Sequence, residues 1–75
     1  MYKLFFDGCS KGNPGRSGAG AVIKKDEKTI TAVNKYLGDK VTNNYAEYGA
    51  LILGLKTALE MRIKQINVYG DIDVY

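Results

Sequence analysis

The chain has 75 residues and a mass of 8.3 kDa, and 45% of its residues are hydrophobic and 25% charged. This length and composition exclude several separate cores and intrinsic disorder, and a single cysteine excludes an internal disulfide framework. The net charge of +3 comes entirely from residues 1–28, which hold six basic and three acidic side chains, whereas the remainder holds five of each. This excess is compatible with a polyanionic partner but does not establish one. Without a signal-type start or an apolar run of about 20 residues, we expect a cytoplasmic protein with no membrane span.

The first half of the chain predicts three strands. Residues 2–6 form a short apolar run that is typical of a central strand buried on both faces. Residues 8–20 contain five glycines and an Asn-Pro-Gly segment, which predicts a loop with no regular element before about residue 19. Residues 19–25 and 29–37 are rich in β-branched and apolar side chains, and the charged residues between them suit a hairpin connection.

The second half predicts one helix and one strand. Over residues 43–63, Tyr48, Ile52, Leu55 and Leu59 recur at helical spacing as an apolar stripe, which Leu51, Ala58 and Met61 widen. Glycines at 49 and 54 inside this helix suggest a backbone that packs closely on a sheet. Residues 65–70 predict a last strand, which the helical crossover would place parallel to residues 2–6. The predicted fold is therefore α/β, with the element order β-β-β-α-β and the strand order 3-2-1-4.

Three carboxylates fall at positions that this topology would bring together. Asp7 and Asp71 each end one of the two neighbouring parallel strands, and Glu47 lies in the second turn of the helix between them. Converging carboxylates repel one another unless cations or protons neutralise them. Oxygen ligands without histidine or cysteine favour Mg²⁺ or Mn²⁺, which often bind substrate phosphate as well. The pattern points to metal-assisted phosphoryl transfer.

Each acidic residue also has a purely structural interpretation. Asp7 and Asp71 could be turn residues, and Glu47 could complete a capping box with Asn44 as the N-cap. Cys9 has no histidine partner and suits a loop position better than a nucleophile.

Three segments together resemble the motifs of the ribonuclease H family. They are DGCSKGNPG at residues 7–15 followed by GAG at 18–20, TNNYAE at 42–47 followed by AL at 50–51, and YGD at 69–71. They occur in the family's order and on the predicted elements, and they span nearly the whole chain. The resemblance implies a ribonuclease H-like mixed sheet and an endonuclease that hydrolyses the RNA strand of RNA/DNA hybrids.

The resemblance also implies roles for individual residues. Asp7, Glu47 and Asp71 would be catalytic residues that hold Mg²⁺ or Mn²⁺, with two ions present when substrate is bound. The substrate contacts implied by position are Gly8, Cys9, Asn13, Asn43 and Asn44. Asparagine side chains can donate to and accept from the 2′-hydroxyl that distinguishes RNA from DNA. For Asn43 and Asn44, helix capping is the alternative role, and the two roles are compatible.

The chain matches only the first part of this family's pattern. A complete domain continues with a further strand, more helices, a fourth metal-binding aspartate and a histidine-bearing loop, and Ile72 stands where the family usually has serine. We therefore expect residues 1–75 to form one partial ribonuclease H-like domain, whose exposed last strand invites pairing into a homodimer. The alternative function is a half-domain that self-associates and binds nucleic acid without cleaving it.

Overall fold

The computed structural model describes residues 1–12 and 14–70. Its elements are three strands, β1 (Tyr2–Gly12), β2 (Gly15–Lys25) and β3 (Lys28–Val41), then a helix, α1 (Asn43–Glu60), and a fourth strand, β4 (Asn67–Gly70). The four strands form one sheet in the order β3-β2-β1-β4. Strands β1 and β2 are antiparallel, as are β2 and β3, whereas β4 runs parallel to β1. The predicted fold class, element order and strand order are confirmed.

The glycine-rich segment is not a long loop. Strand β1 continues to Gly12 and β2 begins at Gly15. The segment predicted to be irregular therefore belongs to the antiparallel pair of β1 and β2, called the β1-β2 ribbon below. Gly18 and Gly20 pair with Cys9 and Asp7 within this ladder. Among the described glycines of the ribbon, only Gly12 has a positive φ, of 90°. The prediction was wrong because these glycines pair within the ladder, and only Gly8 and Gly15 lie where a Cβ atom would clash with other backbone atoms.

The second hairpin has a two-residue connection. Asp26 and Glu27 have φ values of 51° and 72°, the left-handed conformation at both central positions that matches the twist of the flanking strands. Asp26 also accepts a 2.8 Å hydrogen bond from the N-terminal ammonium group, which lowers the pKa of its exposed carboxyl group. The predicted hairpin between the second and third strands is confirmed.

One face of the sheet packs against α1, and the other face is open. Leu4, Phe6 and Ile23 project from β1 and β2 into the core beneath the helix. Phe5, between two of these residues, is 39% exposed and stacks on Tyr69 of β4 with ring centroids 5.3 Å apart. Strand β1 is therefore central in the sheet as predicted, but the prediction that both of its faces are buried was wrong.

The helix presents its small residues to the sheet. Its buried positions are Ala46, Glu47, Ala50, Gly54 and Ala58. The predicted stripe of Tyr48, Ile52, Leu55 and Leu59 lies on the opposite side, where these side chains are 38–73% exposed. The helical period was predicted correctly. Of the residues expected to widen the stripe, Ala58 is buried and Leu51 packs partly buried against the core, whereas the four large central residues do not face the sheet, because the helix lies too close to it for large side chains.

Gly54 shows how close this packing is. A Cβ atom at Gly54 would lie 2.6 Å from Cδ1 of Leu4, so the leucine fills the space that a larger helical residue would need. At Gly49, a Cβ atom would lie 3.0 Å from Cδ1 of Leu37 on β3. The prediction that these glycines allow close packing on the sheet is confirmed. Among the described residues, no helix combines the length and apolar character that crossing a bilayer would require.

Candidate active site

Asp7 lies on β1 on the open side of the sheet. Its neighbours Phe6 and Gly8 face the helix, and strand alternation therefore directs the Asp7 side chain to the opposite face. Asp7 is exposed, and it pairs with Gly20 of β2. Because Gly20 has no side chain, it leaves the space beside this carboxylate open.

Glu47 reaches β1 from the helix. Its side chain is only 6% exposed, and Oε1 accepts a 2.6 Å hydrogen bond from the backbone N–H of Gly8. This approach requires glycine at position 8, where a Cβ atom would lie 2.1 Å from the carbonyl carbon of Ala46 and 2.4 Å from the nitrogen of Glu47. The close contact between helix and strand thus brings the Glu47 carboxylate to the residue that follows Asp7.

The capping-box interpretation of Glu47 is wrong. The N-cap of α1 is Thr42, whose side chain accepts a 3.2 Å hydrogen bond from the N–H of Tyr45, and not Asn44. Oε1 of Glu47 bonds across to another element, Gly8 of β1. A threonine just before the periodic helix is a common N-cap signal, and it could have identified the correct residue.

The third predicted ligand, Asp71, lies outside the described residues, as does Asn13. Strand β4 pairs with β1 in a register that places Gly70 beside Phe6. A Cβ atom at Gly70 would lie 2.0 Å from Cζ of the Phe6 ring, so this position accommodates the phenylalanine. The described part of the chain thus carries β4 to the level of Phe6, the residue before Asp7.

The remaining predicted contacts lie on the strand and on the first turn of the helix. Asn43 Oδ1 accepts a 3.1 Å hydrogen bond from the N–H of Ser10, which links the helix start to β1. Asn44 is exposed in the first helical turn, and Cys9 is exposed on β1. Ser10 was not singled out from the sequence, since a serine in a glycine-rich segment gives no specific signal.

The donor set suits a hard divalent cation. The two described carboxylates of the site, Asp7 and Glu47, lie on adjacent elements, and one of them is buried and held by a backbone N–H. Carboxylate oxygens are the ligands that Mg²⁺ and Mn²⁺ prefer. Within residues 1–12 and 14–70, no three acidic, histidine or cysteine residues converge. A third carboxylate would therefore come from outside these ranges, where the sequence prediction places Asp71.

Sequence comparison assigns most of the chain to a family. A family model described as "Reverse transcriptase-like" matches residues 5–74. The chain is 39% identical over 67 residues to ribonuclease HI of Halobacterium salinarum, an alignment that covers 89% of this chain and 34% of that protein. The chain therefore spans about a third of the length of this relative.

Solved structures share the fold. The chain superimposes on RNase H1 of Halobacterium salinarum with a TM-score of 0.87 and 34% identity, over 93% of this chain and 53% of that one. It superimposes on LC11-RNase H1, solved in complex with an RNA/DNA hybrid, with a TM-score of 0.86 and 32% identity, over 97% of this chain and 56% of that one. Sequence, strand order and structural similarity agree, and the chain belongs to the ribonuclease H family.

Proposed function

We propose that this chain binds RNA/DNA hybrids and hydrolyses the RNA strand by a metal-dependent reaction. The observation that carries the proposal is the hydrogen bond from Gly8 N–H to the buried Glu47 carboxylate, made at the residue that follows the exposed Asp7 in β1. A carboxylate that is buried and fixed in place by a backbone donor is pre-organised for ligation. The solved relative with a bound hybrid supports the substrate class.

In this proposal Asp7, Glu47 and Asp71 are the catalytic residues and hold Mg²⁺ or Mn²⁺, two ions when substrate is bound. The chemistry supplied by such a pair of ions is activation of the attacking water and stabilisation of the leaving oxygen. Glu47 contributes a ligand whose orientation is fixed by Gly8, and Asp7 contributes one that faces the open side of the sheet.

Substrate recognition is assigned to the residues around these carboxylates. Asn44 is exposed and offers an amide donor and acceptor to a 2′-hydroxyl group. Asn43 is tied to Ser10 of β1, so a contact through Asn43 would position the RNA strand relative to Asp7. Gly8, Cys9 and Asn13 complete the proposed contact set.

A cleavage assay tests the proposal. A labelled RNA/DNA hybrid is incubated with the purified protein in Mg²⁺ and in Mn²⁺. Asp7→Asn should lower the rate by about 10²-fold or more, since losing a metal ligand removes several kcal/mol of transition-state stabilisation. Glu60→Gln is the matched control, because it removes one negative charge from the exposed C-terminal end of the same helix.

Two results would contradict cleavage as the function. Equal activity in the wild type and Asp7→Asn would indicate a contaminating nuclease. A folded protein that binds the hybrid but leaves it intact would support the second function, hybrid binding without cleavage. The hybrid bound to LC11-RNase H1 supports both candidates equally, since both bind the same substrate.

We further propose that two copies associate through β4. This strand is at the edge of the sheet, and all four of its residues are exposed. Val68 and Tyr69 are 43% and 46% exposed. Among the described strands β4 has a neighbour on one side only, and an exposed apolar edge favours pairing with another strand.

A further inference from the structure

Two cations face each other at the tip of the β1-β2 ribbon. Lys11 of β1 pairs directly with Arg16 of β2, and both residues are exposed. Like charges at directly opposite positions destabilise a strand pair. This arrangement therefore costs free energy unless an anion lies between or above the two side chains.

Other facing cations in the sheet have compensating neighbours. Lys3 faces Lys24, but Nζ of Lys3 lies 3.6 Å from a carboxylate oxygen of Glu27, and Nζ of Lys24 lies 5.5 Å from the centre of the Phe5 ring. These contacts offset the repulsion with an opposite charge and with the negative face of an aromatic ring.

The same holds at the turn between β2 and β3. Lys25 faces Lys28, and Nζ of Lys25 lies 5.3 Å from the centre of the Tyr2 ring. Neither an ion pair nor a cation–π contact involves Lys11 or Arg16 in the part of the chain that the structure describes. Within the described residues, the repulsion between Lys11 and Arg16 is therefore not offset by an opposite charge or an aromatic ring.

The two cations border a cleft of about 280 Å³ on the open face of the sheet, lined also by Cys9 and Tyr36. Tyr36 is 59% exposed and faces Gly18, which leaves one side of its ring uncovered by a cross-strand side chain. Its hydroxyl group donates a hydrogen bond to Asp39. An exposed aromatic ring beside two cations is a combination that suits a nucleic acid strand.

The cleft lies on the same face as the proposed catalytic carboxylate. Asp7, Cys9 and Lys11 alternate along β1, so their side chains share one face. Asp7 and Lys11 are four positions apart in an extended strand, which places their Cα atoms about 13 Å apart. A strand that passes Asp7 could therefore reach the cleft with a neighbouring part of its backbone.

The ribbon tip is firmly attached. The hydroxyl groups of Ser10 and Ser17 lie 2.8 Å and 3.2 Å from the carbonyl oxygen of Val41. Each also lies within hydrogen-bond distance of a carbonyl oxygen of the ribbon itself, that of Gly12 for Ser10 and that of Gly15 for Ser17, and Ser17 is buried. These two serines flank Lys11 and Arg16 in the sequence and join the tip to the end of β3. The backbone that carries the cations is thus fixed, which lowers the entropic cost of binding.

We infer that Lys11, Arg16 and Tyr36 form a binding site for the phosphodiester backbone of the nucleic acid, next to the catalytic carboxylates. Arg16 can bind one phosphate through two parallel N–H donors, and Lys11 can bind a neighbouring phosphate of the same strand. The ring of Tyr36 packs on a base or sugar of the same strand. This inference rests on the proposed function and identifies where the substrate extends beyond the catalytic centre.

The salt dependence of hybrid binding tests the inference. A labelled RNA/DNA hybrid is titrated with wild type and with Lys11→Gln/Arg16→Gln over a series of KCl concentrations, with EDTA present to prevent cleavage. Each lost phosphate contact lowers the slope of log K against log[KCl] by about 0.7 to 0.9. The double variant should therefore have a slope about 1.4 to 1.8 smaller in magnitude than the wild type.

The control is Lys25→Gln/Lys28→Gln, which changes the charge equally and removes another facing pair on the same sheet. Its slope should stay close to that of the wild type. Tyr36→Leu should weaken binding about tenfold at every salt concentration without changing the slope, since stacking is not an ionic contact. Circular dichroism establishes that each variant is folded.

Different outcomes overturn different proposals. If both double variants change the slope equally, or neither does, the ribbon tip is no specific phosphate site and the inference fails, while cleavage by the wild type still supports the proposed function. If the folded wild type neither binds the hybrid at any salt concentration nor cleaves it in Mg²⁺ or Mn²⁺, both the inference and the proposed function fail.

Discussion

Oε1 of Glu47 accepts a 2.6 Å hydrogen bond from the backbone N–H of Gly8, thirty-nine residues earlier in the chain. This contact joins α1 to the central strand at the residue next to Asp7. The contact gives the Gly8 N–H an acceptor, and it also orients the buried Glu47 carboxylate. The stability of the fold and the proposed activity therefore depend on the same side chain.

Substitutions at Glu47 should separate these two contributions. Glu47→Ala leaves the Gly8 N–H without this acceptor, and we expect a loss of about 1–3 kcal/mol in the free energy of unfolding. Glu47→Gln retains an acceptor oxygen at the same place, and its free energy of unfolding should stay within about 1 kcal/mol of the wild type. Both variants should lose cleavage, because neither has the negative charge that a metal ligand needs here. Urea unfolding and the cleavage assay measure the two effects, and equal stability of wild type and Glu47→Ala would show that the hydrogen bond contributes nothing.

Gly8 should tolerate no side chain. A methyl group there would meet backbone atoms of Ala46 and Glu47 at 2.1–2.4 Å, and backbone cannot move aside as a flexible side chain can. We expect Gly8→Ala to destabilise the fold by about 3 kcal/mol or more.

Gly18→Ala is the matched comparison for this substitution. A Cβ atom there would lie 3.6 Å from the carbonyl oxygen of Lys35, an ordinary contact, and we expect a change within about 1 kcal/mol. Thermal or urea unfolding of the two variants checks the difference. Similar stabilities would mean that the helix can shift away from β1 at little cost.

The corrected N-cap gives a third prediction. Thr42→Ala removes the side-chain acceptor for Tyr45 N–H and should cost about 1 kcal/mol in the free energy of unfolding. Asn44→Ala leaves this cap intact, so its free energy of unfolding should change by less than about 0.5 kcal/mol. Thr42→Ser should restore most of the stability of the wild type. If Asn44→Ala lowered the free energy of unfolding more than Thr42→Ala, Asn44 and not Thr42 would be the residue that caps the helix.

Much of the topology could be predicted from sequence patterns alone. The change from strand-like to helical periodicity near residue 43 separates the first three strands from the crossover helix. A helical crossover makes the next strand parallel, which favours β4 beside the central, most apolar strand β1. Strand lengths were less predictable. The ladder continues through Gly8 and Gly12, whose propensities favour turns, because neighbouring strands override weak local preferences.

The buried face of the helix could not be read from hydrophobicity. Periodicity identifies the side with large apolar residues, such as Ile52 and Leu59, but the sheet accepts only small ones at this distance. The buried face is indicated instead by small residues at every fourth position, Ala46, Ala50, Gly54 and Ala58. For the candidate site, the motifs predict Asp7 and Glu47, and their roles remain a prediction. The contact between Glu47 and Gly8 depends on how helix and strand pack and has no sequence signal of its own.

The proposed dimer gives the last prediction. Val68 lies on edge strand β4 and is 43% exposed, so lysine at this position would place a charge on the proposed interface without entering the core. Natural edge strands use lysine in this way to prevent pairing. We expect the wild type to be a dimer and Val68→Lys a monomer at micromolar concentration, as measured by size-exclusion chromatography with light scattering.

Ile30→Lys is the control, since it adds the same charge at a 38% exposed site on β3, the strand at the opposite edge of the sheet. A monomeric wild type would refute the dimer, and a dimer disrupted only by Ile30→Lys would place the interface on β3.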